Sequence, residues 1–131
     1  MKHVVNIPHV RSFSIDGRGT AAAWRKSEWH MLSKVNSGPG KHVSRFKALY
    51  SNKGIYFFFD YEDSILACSG RLRDLDDIWN EDVAEVFLWP NEKEIYYFEY
   101  EISPLGVELP LLIPNHIGKV KGWIPWHYEG R

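Results

Sequence analysis

The chain has 131 residues, 44% of them apolar and 25% charged, with a formal net charge of −1 and one cysteine, Cys68. This is the length and balance of a single domain over 1–131, not of a disordered chain, and no apolar run approaches the roughly 18 residues of a membrane span. It also excludes an internal disulfide framework, a cysteine-rich zinc site and any global electrostatic pull onto nucleic acid or anionic lipid. Met1 to Val10 is too polar for the apolar core of a signal peptide. Ala21 to Leu32, rich in alanine, predicts one short helix. Ser37-Gly38-Pro39-Gly40 is a loop. From Ser44 to Tyr50 the period becomes two, the signature of a strand. Ser51-Asn52-Lys53-Gly54 is a hairpin turn, and Ile55 to Asp60, apolar on both faces, is a central strand. Ile65 to Ser69 is a further short strand, and Arg71 to Asn80 a long acidic loop. Val83 to Trp89 is a strand that stops at Pro90. Pro90-Asn91-Glu92-Lys93 turns the chain into a strand over Ile95 to Ile102. Ser103-Pro104-Leu105-Gly106 is the next turn. Val107 to Ile113 is one more strand, held to an edge or a bulge by Pro110. Short strands at this spacing predict an all-β chain, an antiparallel β-sandwich or barrel.

The charge is divided along the chain. Residues 1–60 carry 10 Lys/Arg against 3 Asp/Glu, and residues 61–131 carry 6 against 14, so the halves stand at +7 and −8. The two halves complement each other within one fold, or the acidic part serves a cation or a hydroxyl-rich ligand. Period-two alternation assigns faces to the two clearest strands. An unpaired buried carboxylate is costly, so Ala84, Val86 and Leu88 go inward with Tyr96, Phe98, Tyr100 and Ile102. Glu85, Phe87, Trp89, Tyr97, Glu99 and Glu101 then share an outward face. Aromatic rings stack on the C–H faces of sugars, and carboxylates accept hydrogen bonds from sugar hydroxyls. The alternative is that these aromatics lie under a loop or a partner domain.

One ordered series runs through the chain: Ile15-Asp16-Gly17, Trp24, Leu49-Tyr50, Ile55-Tyr56-Phe57-Phe58-Phe59 and Asp63. It continues through Ile78-Trp79-Asn80-Glu81-Asp82-Val83-Ala84-Glu85-Val86-Phe87-Leu88 and Tyr96-Tyr97-Phe98-Glu99-Tyr100-Glu101-Ile102-Ser103-Pro104-Leu105-Gly106. The series resembles the family 9 carbohydrate-binding modules and their DOMON-like relatives, over roughly Phe13 to Gly106. The resemblance implies a jelly-roll-related antiparallel sandwich, incomplete here because family domains are longer. It implies a grip on one or two sugar units at a chain end between two aromatic rings. Trp79 matches the first ring and Glu85 a carboxylate that binds sugar hydroxyls. Glu101 stands where some members carry a basic ligand-contacting residue. The second ring comes late in the family domain. Trp123 and Trp126 are the only late tryptophans here, without the family's surrounding residues. Some members bind structural calcium, and Asp74, Asp76 and Asp77 are the acidic stretch where the resemblance admits it.

No enzyme motif is present: no His-Glu-x-x-His, no Gly-x-Ser-x-Gly, no phosphate-binding or dinucleotide glycine pattern. The histidines at 3, 9, 30, 42, 116 and 127 show no ligand spacing, and Met1 and Met31 offer little to a haem iron. Glu85 with Glu99 or Glu101 could imitate a glycosidase pair, but an open sheet face gives no controlled cleft. The expectation is therefore a non-catalytic carbohydrate-binding domain with a site of Trp79, Glu85, Tyr97, Glu99 and Glu101, serving xylan or other polysaccharide degradation. The second reading is a structural or interaction domain without sugar binding, and the third an accessory domain of a glycoside hydrolase. Expected partners are a carbohydrate, neither nucleic acid nor membrane, and a second copy of the chain through open sheet edges. Met1 as native start implies the cytoplasm. A removed leader implies a secreted or periplasmic protein.

Overall fold

A computed structural model describes residues 4–33, 43–116, 119–120 and 122–126. The loop expected over 37–40, the histidines at 3, 42 and 127, and the tail over 127–131 lie outside them. The fold class is all-β, as expected: two antiparallel sheets, the number a β-sandwich requires, and two short 3-10 turns. The strands are β1 (His30–Met31), β2 (Ser44–Ser51), β3 (Gly54–Tyr61), β4 (Ala84–Leu88), β5 (Tyr96–Ile102), β6 (Glu108–His116), β7 (Lys119–Val120) and β8 (Ile124–Pro125). The chain divides into two compact units, Met1–Ser64 and Ile65–Arg131. Among the described residues no helix is long and apolar enough to cross a membrane.

The first unit is the sheet β1-β2-β3. Its β2–β3 hairpin has the expected turn, with Ser51 opposite Gly54, and the Lys53 amide donates to Ser51 Oγ at 3.0 Å. The strand β2 is where the sequence placed it, but its burial does not alternate, since the neighbours Ala48 and Leu49 are both buried. Leu49 pairs with Tyr56 and Lys47 with Phe58, so these share one face. Val10, Trp24 and Leu49 form the buried cluster on that face, with Phe13, Tyr56 and Phe58 packed against it. The expected helix over Ala21 to Leu32 is not there. A 3-10 turn of five residues, Ala22–Lys26, stands in its place. Ser27 then becomes extended and its Oγ accepts the Ala48 amide at 3.3 Å. Burying one indole against a sheet face wins over the alanines' weak preference for a longer helix.

The Ile15-Asp16-Gly17 segment is a side-chain-capped turn. Asp16 accepts the Arg18 amide at 2.9 Å and the Thr20 hydroxyl. These hydrogen bonds hold the carboxyl below its ordinary range. Two residues on, Gly19 has φ +67, and a Cβ there would overlap the Phe58 ring. Gly17 has a similar φ of +68 but open space around it. Gly19→Ala is therefore expected to lower stability by about 2 kcal/mol and Gly17→Ala by about 1 kcal/mol, read from urea midpoints. Equal losses at the two positions would show that Phe58 yields without cost.

The second unit is the sheet β4-β5-β6, extended from β6 by β7 and by β8. The hairpin turn before β5 uses Asn91, whose side chain accepts the Lys93 amide at 3.1 Å, and the Trp89 indole donates to the Glu94 carbonyl at 3.1 Å. The turn 103–106 closes through Gly106, at φ +77, whose amide donates to the Ser103 carbonyl. Two expectations fail here. Ile65 to Ser69 is not a strand: Ala67 exchanges hydrogen bonds with Asp82, and Glu81 accepts the Ser69 amide, so this stretch is pinned to the far limb of the long loop. The strand expected to end at Ile113 runs on to His116, and Pro110 does not hold it to an edge. β6 pairs with β5 on one side and with β7 and β8 on the other. Pro110 lacks an amide but uses its carbonyl, which accepts the Trp126 amide at 2.8 Å.

Candidate functional site

The site is built on one face of the β4-β5-β6 sheet. Register places Glu85, Glu101 and Leu109 in one row across the strands, and Phe87, Glu99 and Leu111 in the next. Tyr97 lies opposite Ile113. Directly opposite residues point to the same side of a sheet, so the carboxylates share a face with three buried aliphatics. Leu109, Leu111 and Ile113 join Ile78 in this unit's core cluster, with Leu72, Leu75, Val83, Tyr97 and Val107 against it.

That placement corrects part of the face assignment. Glu85 and Phe87 are exposed as expected, but Tyr96, expected inward, is 42% exposed, and the buried Leu109, Leu111 and Ile113 lie on the face expected outward. Glu101, expected outward, is 2% exposed. The stretch expected as a polar loop contributes Leu72, Leu75 and Ile78 to the core, covering the face toward its Glu101 end. Two of the loop's aspartates are engaged by backbone amides. Asp74 accepts the Glu108 amide at 3.0 Å and Asp76 the Arg73 amide at 2.7 Å. Asp74, Asp76 and Asp77 do not gather as a ligand set, so they do not fit the calcium the family resemblance admits. The one group of three or more such side chains within ligating distance among the described residues is Glu85, Glu99 and Glu101.

The 3-10 turn Ile78–Asn80 divides two adjacent side chains between core and site. Ile78 is fully buried, while Trp79 is 36% exposed. The Glu81 amide donates to the Ile78 carbonyl at 3.0 Å and closes the turn. Trp79, Glu85, Tyr97, Glu99 and Glu101, the five residues singled out from the sequence, all line one open cavity of about 290 Å³. Leu111 and Ile113 form apolar wall, and Val120 and Trp123 complete it. Trp123 was missed as a site residue. Its ring stands 5.7 Å from that of Trp79 at 77°, edge toward face, and it is 56% exposed. The two indoles thus form an angled aromatic corner beside the carboxylates.

The electrostatics follow from the crowding. Glu85, Glu99 and Glu101 bring one oxygen each within 4.8 Å of one another. Burial first, and then the Glu85 and Glu99 charges, push the Glu101 carboxyl up to about 7. Glu99 is also raised, by burial and then by Glu85, while its hydrogen bond with Glu101 works the other way. The two carboxyl groups are hydrogen-bonded to each other. The Tyr97 hydroxyl is raised by burial and by Glu99. None of the nine lining side chains is basic. Glu101 Oε2 is buried and has no hydrogen-bond partner among the described residues.

Such a corner can stack a ring on indole and accept several hydrogen bonds from it, and it lacks a general acid–base pair set across a closed cleft. No match was found among curated proteins or among solved structures. The family model described as "Carbohydrate family 9 binding domain-like" matches residues 15–108, which include Trp79 and all three clustered glutamates and end before Trp123. The chain belongs to the carbohydrate family 9 binding domain-like family.

Proposed function

We propose that this chain is a non-catalytic sugar-binding module whose ligand seats in the cavity of the second unit. The observation that carries the reading is the convergence of all five sequence-selected residues on that one cavity, with Trp123 added to its wall. A sugar ring lies with its C–H face on Trp79 and against Trp123, and its hydroxyls donate to Glu85 and Glu99. Two angled rings suit a terminal unit better than the middle of a long chain, because Trp123 closes one side. The module then serves a polysaccharide-degrading partner by holding it to chain ends.

Titration with xylose, glucose and short xylo-, cello- and chitosan oligosaccharides, followed by tryptophan fluorescence, tests this. A saturable change is expected, and Trp79→Ala should weaken it at least about tenfold through loss of the stacked face. Trp123→Ala should weaken it less, because that ring meets the site at an angle. No saturable response to any glycan sinks the reading.

A further inference from the structure

Among the described residues that line the cavity, none is basic. A neutral sugar would donate hydroxyl hydrogen bonds to the glutamates but would bring no positive charge to offset those that are ionised. Glu101 Oε2, in a residue 2% exposed, has no partner among the described residues although it belongs to a side chain that lines the cavity. An orphaned buried carboxylate oxygen is costly, and ligand is the natural source of the missing donor. The rest of the wall is indole, phenol and aliphatic: Trp79, Trp123, Tyr97, Leu111 and Ile113.

We propose that the ligand is an amino sugar, a pyranose bearing a primary ammonium group, with that group seated among Glu85, Glu99 and Glu101. This rests on the sugar-binding reading above and narrows it to a substrate class. The match is one of number. A primary ammonium has three N–H donors, and three carboxylates offer one oxygen each within 4.8 Å of one another. Indole faces attract cations as well as C–H groups, so Trp79 and Trp123 favour the same ligand. A hard divalent ion is the poorer fit. Calcium takes six to eight oxygen ligands, whereas the cavity wall beyond the three glutamates is apolar or aromatic.

Three sugar series that differ only in one substituent test the assignment: glucosamine, glucose and N-acetylglucosamine, each with its short β-linked oligosaccharides. Isothermal titration is run with the full chain, with and without added calcium, at fixed ionic strength. The ammonium series is expected to bind about tenfold or more tightly than the hydroxyl and N-acetyl series, the usual weight of a charge-assisted hydrogen bond. Glu101→Gln should remove most of that preference, bringing the ammonium and hydroxyl series within about threefold of each other. Glu92→Gln, an exposed acid outside the cavity, should leave both alone and so exclude simple attraction to an acidic surface. Equal affinity for the glucosamine and glucose series overturns the proposal and leaves the sugar-binding reading standing. Sugar binding that appears only with calcium also overturns it, in favour of a metal-bridged ligand. Silence from all three series, with the variant's far-ultraviolet spectrum unchanged, sinks both readings together.

Discussion

Trp24→Ala is expected to lower the stability of the first unit by about 4 kcal/mol, the usual range for removing a buried indole. Trp24 is 5% exposed and sits on the five-residue turn Ala22–Lys26. Its ring stands edge-on to Phe13 at 5.4 Å and tilted to Phe58 at 5.4 Å. The backbone around it is held separately: Lys47 Nζ donates to the Trp24 carbonyl at 2.9 Å, and Ser27 Oγ accepts the Ala48 amide. Truncation would therefore leave the turn in place over a cavity, and a site that cannot collapse loses the most. Trp29 gives the contrast. It is half-buried and lies under two cations, Arg45 at 4.4 Å and Lys47 at 4.9 Å, with Phe58 beside it. Trp29→Ala should cost only about 1–2 kcal/mol, because part of its surface is already wet and cation–π contacts at such sites are weak. Urea unfolding followed by near-ultraviolet circular dichroism checks both. A loss below about 1 kcal/mol for Trp24→Ala would mean that Phe13 and Phe58 close the gap.

The strands were readable where one rule dominated. Ser44 to Tyr50 and Val83 to Trp89 alternate in sequence, and both hold strands, Ser44–Ser51 and Ala84–Leu88, of which the second also alternates in burial. The turns at Gly54 and Gly106 were readable because glycine there takes the positive φ that those turns need. What escaped was set by packing across sequence distance. The stretch 71–80 is polar by count, yet Leu72, Leu75 and Ile78, three apart, are the residues that meet β6. Reading the stretch by its aspartates hid that spacing, and with it the burial of Glu101. Leu75 even takes φ +70, held there by its amide bond to the Glu108 carbonyl at 3.0 Å and by its place against the core. The rule that carboxylates face water failed at Glu101 because Leu72, Leu75 and Ile78 pack over its face, and burial there raises its carboxyl and so favours the neutral acid. Trp79 and Glu85 were legible through motif and alternation together. Trp123 was not, because the return of β7 and β8 to β6, which brings that ring to Trp79, leaves no periodic mark in so short a segment.

Glu101→Gln is expected to remove most of the alkaline loss of stability, a gain over the parent of about 2–3 kcal/mol at pH 8. The folded carboxyl is raised from 4.5 to about 7, by burial and by the charges of Glu85, Glu99 and Asp77. Between those values the folded chain keeps a proton that the unfolded chain releases. Stability is therefore full below the unfolded value, falls as pH rises, and levels off once the folded carboxyl has ionised. A tenfold change in proton affinity is worth about 1.4 kcal/mol, which sets an upper limit of roughly 3 kcal/mol. Glu99, also raised, adds a loss in the same direction, and Tyr97 enters only at higher pH. The amide cannot ionise, yet it can still donate to Glu99. The variant should match the parent near pH 4.5 and exceed it at pH 8, with a midpoint temperature higher by on the order of 5–10 °C. Thermal unfolding at half-unit steps from pH 4 to 9 measures the difference. A variant whose curve runs parallel to the parent's across that range would mean that residue 101 keeps its charge when folded, and the carboxylate cluster would then need a cation of its own within the protein.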